Sequence, residues 1–236
     1  MNLTRVVLAA VTVSLGGCGC ETVKSTDIKT SGLYADLKAD AAGGGQVKVK
    51  ATLTLGSGSL TFLELSPGDT LTATVGLTSR AMSRTSLFGS TWYEANFDGD
   101  AANTAVKISL LRASDTGAPE SAVTLPMPFA FSQPVTGQAS SRSAGMTVTW
   151  TNGNQSDPMR LSASGSCIQP VDVPTFSDTG THSLPAFASA NGSETKTCDV
   201  SLTLVRTRSG SVDAAYGKGG AFEATVTRTL TISSTP

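Results

Sequence analysis

From about residue 33 onward the chain alternates apolar and polar side chains almost without a break. In residues 46–55 the odd positions are Val47, Val49, Ala51, Leu53 and Leu55, and the even ones include Lys48, Lys50, Thr52 and Thr54. A period of two puts one dry and one wet face on a strand, as in an antiparallel sheet covered on one side. The glycine-rich stretch 41–45 turns this strand back on residues 33–39 as a hairpin. Residues 60–65 form the next strand, ending at the turn Ser66-Pro67-Gly68-Asp69. Leu71, Ala73 and Val75 then alternate, followed by a short strand near 80–83, by Tyr93, Ala95 and Phe97, and by Val106, Ile108 and Leu110. About seven strands are expected before Asp115 on this spacing.

Residues 115–120 combine turn formers with no apolar pattern, and a domain boundary is expected there. Beyond it strands are expected at 122–125, 129–131, 146–150, 161–167, 181–184 and 198–204. A last run carries Phe222, Ala224, Val226, Leu230 and Ile232 on one parity and four threonines on the other. No long segment of helical period follows the N-terminus. The expected fold class is therefore all-β, as two tandem antiparallel sandwiches over residues 32–114 and 115–236. One continuous sandwich or barrel is the alternative.

The first twenty residues break the pattern. Arg5 precedes an apolar run from Val6 to about Leu15, roughly half the ~20 residues that a spanning helix needs. The run ends in Leu15-Gly16-Gly17-Cys18, which resembles the bacterial lipoprotein signal, or lipobox. That resemblance implies a signal peptide over 1–17, cleavage before Cys18, and a diacylglycerol on the Cys18 sulfur. Cys20 is a poorer match, with Gly17 and Cys18 before it. Gly19 is not the Asp associated with inner-membrane retention, so the implied location is the outer membrane of a bacterial envelope. Residues 18–31 then read as a lipid-anchored polar tether. Two or three acyl chains make a stable anchor.

An oxidising envelope compartment favours disulfides. Cys167 shares parity with Leu161 and Ala163, and Cys198 with Val200, Leu202 and Leu204, so a Cys167–Cys198 bridge between packed sheets is expected. Trp150 shares the inward face of Met146 and Val148 and is expected near that bridge. Residues 120–233 here resemble an immunoglobulin-like domain, with one departure: Trp150 precedes both cysteines instead of lying between them. The strings at 181–186, 198–208 and 219–236 are also similar to those of uncharacterised outer-membrane lipoproteins. Neither resemblance carries binding or catalytic residues with it.

Charge narrows the function classes. With 17 Lys+Arg against 18 Asp+Glu there is no basic field for a phosphate backbone, which argues against nucleic acid as a partner. His182 is the only histidine; it has no G-x-S-x-G or H-E-x-x-H context and reads as structural. Asp98 and Asp100 are a weak calcium pair lacking the further spaced ligands of an EF-hand loop. Glu94 with either of them makes a poor glycosidase pair, because neighbours on one strand do not face each other across a cleft. The Gly217–Gly220 stretch lacks the phosphate-loop spacing and reads as a mobile connection. Arg206, Arg208 and Arg228 are either a small basic patch or separate solvated charges. One feature favours binding: Trp92 should point to solvent beside Glu94 and Asn96, where an indole can stack on a sugar or anchor a protein contact. The expectation is a non-enzyme without cofactor, held at the membrane by its lipid and working in adhesion or scaffolding with an envelope protein. A glycan-binding module using Trp92 is the alternative.

Overall fold

A computed structural model describes residues 21–192 and 195–236; the signal segment, Cys18 and Cys20 lie outside them. Strands follow one another as β1 (Glu21–Lys24), β2 (Tyr34–Gly43), β3 (Gln46–Thr54), β4 (Thr61–Glu64), β5 (Thr70–Val75), β6 (Thr78–Ala81), β7 (Ser83–Leu87), β8 (Ser90–Asp98) and β9 (Ala105–Leu111). Then come β10 (Ala118–Thr124), β11 (Phe131–Gln133), β12 (Ala139–Ser141), β13 (Met146–Trp150), β14 (Met159–Gly165), β15 (Val171–Phe176), β16 (Thr181–Leu184), β17 (Cys198–Ser209) and β18 (Gly220–Thr235). The regular elements of the described residues are nearly all strands, in sandwich-like sheets, with two short 3₁₀ turns as the exceptions.

Parity decides which side of each strand is buried. On β3 the odd residues Val47, Val49, Ala51 and Leu53 are buried, as are Tyr93, Ala95 and Phe97 on β8 and Val106, Ile108 and Leu110 on β9. One sheet contains β1, β4, β3, β2, β18, β17, β14 and β15 in that order, with β8 pairing β3 and β7 pairing β8. A second sheet, β10-β9-β5-β6, faces its N-terminal part, and a third, β11-β13-β16, belongs to the C-terminal half. Pairing is not purely antiparallel: β1 with β4, β2 with β18, and β12 with β18 are parallel pairs.

The long strand β18 belongs to both halves. Its first residues, Gly220 to Val226, pair with Ala35 to Ala41 of β2. Residues Glu223 to Ser234 pair with β17, and the last ones also with β12. Sixteen residues of extended chain span about 50 Å. Strand pairing also crosses the boundary expected at residue 115, since β10 pairs with β9 at Ala118↔Leu110 and, after a register shift, from Ser121↔Ile108 to Thr124↔Ala105. The two halves are thus joined by hydrogen-bonded ladders as well as by a linker.

Two expected loose segments are packed. Residues 21–31, read as a tether, begin with β1 on the edge of β4, and Ser25 and Thr30 are fully buried. The Gly217–Gly220 stretch lies against residues 31–35, with Lys218 N–H donating to Leu33 O at 3.1 Å. A Cβ on Gly220 would stand 2.2 Å from Ala35 O, and one on Gly217 2.5 Å from Ser31 O, so glycine permits the close approach. What reads as a flexible glycine run is a tightly fitted crossing.

Candidate functional site

The outward face of β2, β3 and β8 carries the candidate binding residues. Alternation places Lys48, Lys50, Trp92, Glu94 and Asn96 on it together, opposite the buried parity. Register sets Lys50 across from Glu94 and Lys48 across from Asn96. Trp92 is half-buried, not free: Lys50 Nζ lies 4.6 Å from its ring centroid, and its Nε1–H donates to Glu94 Oε2 at 3.0 Å. Glu94 also pairs with Lys48 Nζ at 2.8 Å. The bond from Lys48, then that from Trp92, holds the Glu94 carboxyl below the usual carboxylate range. Asn96 is exposed, and its carbonyl accepts a hydrogen bond from Arg80. A shallow groove of about 410 Å³ lies on the same outer face, lined by Tyr34, Asp36, Lys38, Thr52, Phe62 and Glu223. Tyr34 and this groove were not singled out in the sequence, although Tyr34 shares parity with Asp36 and Lys38.

The weak calcium pair separates. Asp98 is directed to Arg80 at 3.9 Å and Asp100 to Arg228 at 3.5 Å. Among the described residues no three His, Cys, Asp or Glu side chains gather as metal ligands. His182 is half-buried and stacks on Phe176 with ring centroids 4.2 Å apart.

The three C-terminal arginines form neither a patch nor a set of solvated charges, because each meets a carboxylate. Arg206, fully buried, contacts Asp178 at 2.5 Å and donates to Asn152 O at 2.8 Å and to Met127 O. Trp150 Nε1–H donates to the other Asp178 oxygen at 2.8 Å, and Phe129 lies under the guanidinium at 5.0 Å. Arg208 binds Asp157 through both oxygens, at 2.9 and 2.7 Å, and reaches across to Asn103 Oδ1 at 2.8 Å and Thr124 Oγ1 at 3.0 Å. Arg228 meets Asp100 and the Ala41 carbonyl. These contacts tie β17 to the linker at Met127, to Asn103, to β10 at Thr124 and to the loop before β14, and β18 to Asp100 and Ala41. They hold the halves together, and offer no free cation to a ligand.

A matching cage closes the N-terminal end. Arg112, with a side chain 1% exposed, meets Asp69 at 2.7 Å. It also donates to Thr30 Oγ1 at 3.0 Å, Ile28 O at 3.0 Å and Ser25 O. Burial works against the Asp69 charge, but bonds from Ala113 N–H and the Ser25 hydroxyl, with the Arg112 guanidinium, outweigh it and lower its pKa. The N-terminal segment is therefore bolted to the sandwich.

The expected disulfide is present, with Sγ–Sγ 2.08 Å and Cα–Cα 5.9 Å. It does not cross between sheets. Cys167 follows β14 and Cys198 opens β17, and these strands are neighbours in one sheet with Gly165 opposite Val200. Trp150 lies away from it, near Arg206 and Phe176, at the end where Met159 pairs with both. Beside the bridge stands Arg142, buried, donating to Cys167 O at 3.1 Å.

No protein-family model matches the chain, and no curated protein matches it. Among solved structures it is similar to a two-domain fibronectin type III segment of chicken tenascin, at 14% identity over 74% of this chain and 90% of that one, with a TM-score of 0.23. It is similar to the fibronectin(III)-like modules of Clostridium thermocellum CbhA, at 11% identity over 84% and 91%, with a TM-score of 0.23. A third is the Bacteroides ovatus mixed-linkage glucan utilization locus SGBP-B with its heptasaccharide, at 11% identity over 94% and 69%, with a TM-score of 0.21. At such scores the likeness carries no argument about relationship or ligand.

Proposed function

We propose that this chain is a non-catalytic bacterial envelope lipoprotein, anchored through Cys18 in the outer membrane, that presents a rigid double sandwich for adhesion or scaffolding to a protein partner. The observation that supports this reading is β18. It starts beside Ala35, where the N-terminal segment is docked, and over its length of about 50 Å passes from β2 into the C-terminal sandwich. A strand shared by both halves, with Arg206 and Arg208 across their junction, makes a stiff stand-off suited to display. In cells, labelled fatty acid should enter the chain and disappear from Cys18→Ala. The purified body should capture a discrete envelope protein without affinity for glycans. Turnover of a substrate by the purified protein would contradict the non-catalytic reading.

A second reading, glycan binding, is favoured by the outer face itself, where Trp92 bonds to Glu94 and a shallow groove lies on the same side of the sheet. It asks the ligand to use the side of the indole away from Lys50. Glycan-array binding that vanishes in Trp92→Ala would establish it. Binding that persists in that variant would remove Trp92 from the site.

A further inference from the structure

We propose that the Leu87-Phe88 tip of the β7–β8 hairpin, with Leu60 beside it, dips into the lipid surface next to the anchor and fixes the body's orientation on the membrane. The proposal rests on the lipoprotein reading and adds to it a contact made by the folded body.

Strand directions bring these residues to one end of the molecule. β8 and β4 both run antiparallel to β3, pairing at Tyr93↔Ala51 and at Phe62↔Thr54. The chain before Tyr93 and the chain before Phe62 therefore both lead to the same end of the sheet, where β3 finishes. The first carries the hairpin turn, closed by Leu87↔Ser90. The second carries Leu60. β1 runs parallel to β4 from Glu21↔Thr61, and Glu21 N–H donates to Leu60 O at 3.0 Å. Glu21 thus stands at this end too, and Cys18 precedes it by only three residues. At the extended limit of ~3.6 Å per residue, the Cys18 backbone lies within about 11 Å of Glu21. Because residues 21–31 are bolted down by Arg112 instead of hanging free, an acylated Cys18 brings this end of the sandwich against the bilayer.

What the end exposes suits that position. Phe88 is 92% exposed, Leu87 55% and Leu60 50%. Phe88 also has φ +48°, a left-handed conformation that bulky residues rarely adopt and that Asn or Gly takes more easily. A fully exposed aromatic held in an unfavourable turn position contributes nothing to the core, and its natural environment is an apolar one outside the chain. Charge is not the attraction: Lys24 and Arg84 both pair with Glu64. The contact is one of apolar side chains entering the headgroup and acyl boundary.

Leu77 supplies the control. It is fully exposed at the turn between β5 and β6, and the chain runs from it through β6 and β7 to the Phe88 tip. It therefore lies at the opposite end of that run. The test uses full-length lipidated protein in vesicles of phosphatidylethanolamine and phosphatidylglycerol with brominated acyl chains. Tryptophan emission of Phe88→Trp and Leu77→Trp is measured as the increment over the parent chain, whose Trp92 and Trp150 set the background. The added emission of F88W should be quenched and blue-shifted, and that of L77W should match the value in unbrominated lipid. Fatty-acid labelling with F88W unquenched would overturn the hairpin contact and leave the anchor standing. Loss of labelling would overturn both, since no bilayer would then be held at this end. Phe88→Asn, a residue that the turn accepts, should fold and yet lose the orientation, read as protease access to residues near Leu60.

Discussion

The two sandwiches share β18 but are secured by different means. The N-terminal one has no disulfide among the described residues, and its open end is closed by Arg112 in a cage of Asp69, Thr30 and the carbonyls of Ser25 and Ile28. The C-terminal one has the Cys167–Cys198 bridge at one end and the Arg206–Asp178–Trp150 cluster at the other. Both arginines hold a non-strand segment: residues 25–30 in the first case, the linker around Met127 in the second. The difference teaches where each half meets its surroundings. The N-terminal cage fixes the segment that follows the proposed anchor at Cys18, and the C-terminal cluster fixes the joint between the halves.

Removing either arginine has the largest expected effect. Taking one partner from a buried ion pair leaves the other charge stranded and costs about 3–5 kcal/mol. Arg112→Ala and Arg206→Ala should both lower the thermal midpoint strongly, but with different local signatures. The first should open residues 25–30 to protease, and the second the linker near residue 127. Equal patterns in the two variants would erase the distinction. Next comes the bridge. Its cysteines stand 31 positions apart in sequence, and its loss should cost about 3 kcal/mol in the chain-entropy view, read as the unfolding midpoint of the Cys167→Ser/Cys198→Ser double variant.

Acid sharpens the contrast. Burial opposes the Asp69 charge, and the Ala113, Ser25 and Arg112 contacts overcome it. Asp115 is lowered by hydrogen bonds from the Thr30 and Thr116 backbone. A carboxylate whose pKa is depressed in the folded state gives stability that is present above its unfolded value and lost as pH falls through the folded one. Release of residues 25–30 should therefore begin only below about pH 4, the ordinary aspartate range. Hydrogen exchange of that segment against pH measures it, and release near neutrality would contradict the cage. The smallest effect is expected from Phe88→Asn, which relieves a left-handed aromatic and should raise stability by about 1 kcal/mol or less.

Strand identity was legible in the sequence, because burial follows the alternation of Val47 to Leu53, of Tyr93 to Phe97 and of Phe222 to Val226. Partners were not. β2 and β18 pair in parallel some 185 residues apart, and nothing in local pattern announces such a contact. β12 and β15 escaped notice because one is three residues without apolar alternation and the other is an edge strand interrupted by Pro174. The cages had left a signal. Arg112 continues the inward parity of Val106, Ile108 and Leu110, and Arg206 that of Val200, Leu202 and Leu204. A charged residue on a core parity demands a buried partner, yet the sequence does not say which aspartate supplies it. Trp92 lies on the parity opposite the core, half-buried where the pattern suggested a free indole, because its contacts with Lys50 and Glu94 depend on cross-strand register.

Through β18 the two sandwiches should unfold as one cooperative body. Native-state hydrogen exchange of the Cys167→Ser/Cys198→Ser variant decides this, since the lesion lies wholly in the C-terminal half. If the shared strand couples the halves, amides of β2 and β3 should lose protection by the same free energy as those of β14 and β17. Unchanged protection in β2 and β3, with loss confined to the C-terminal sandwich, would contradict the account.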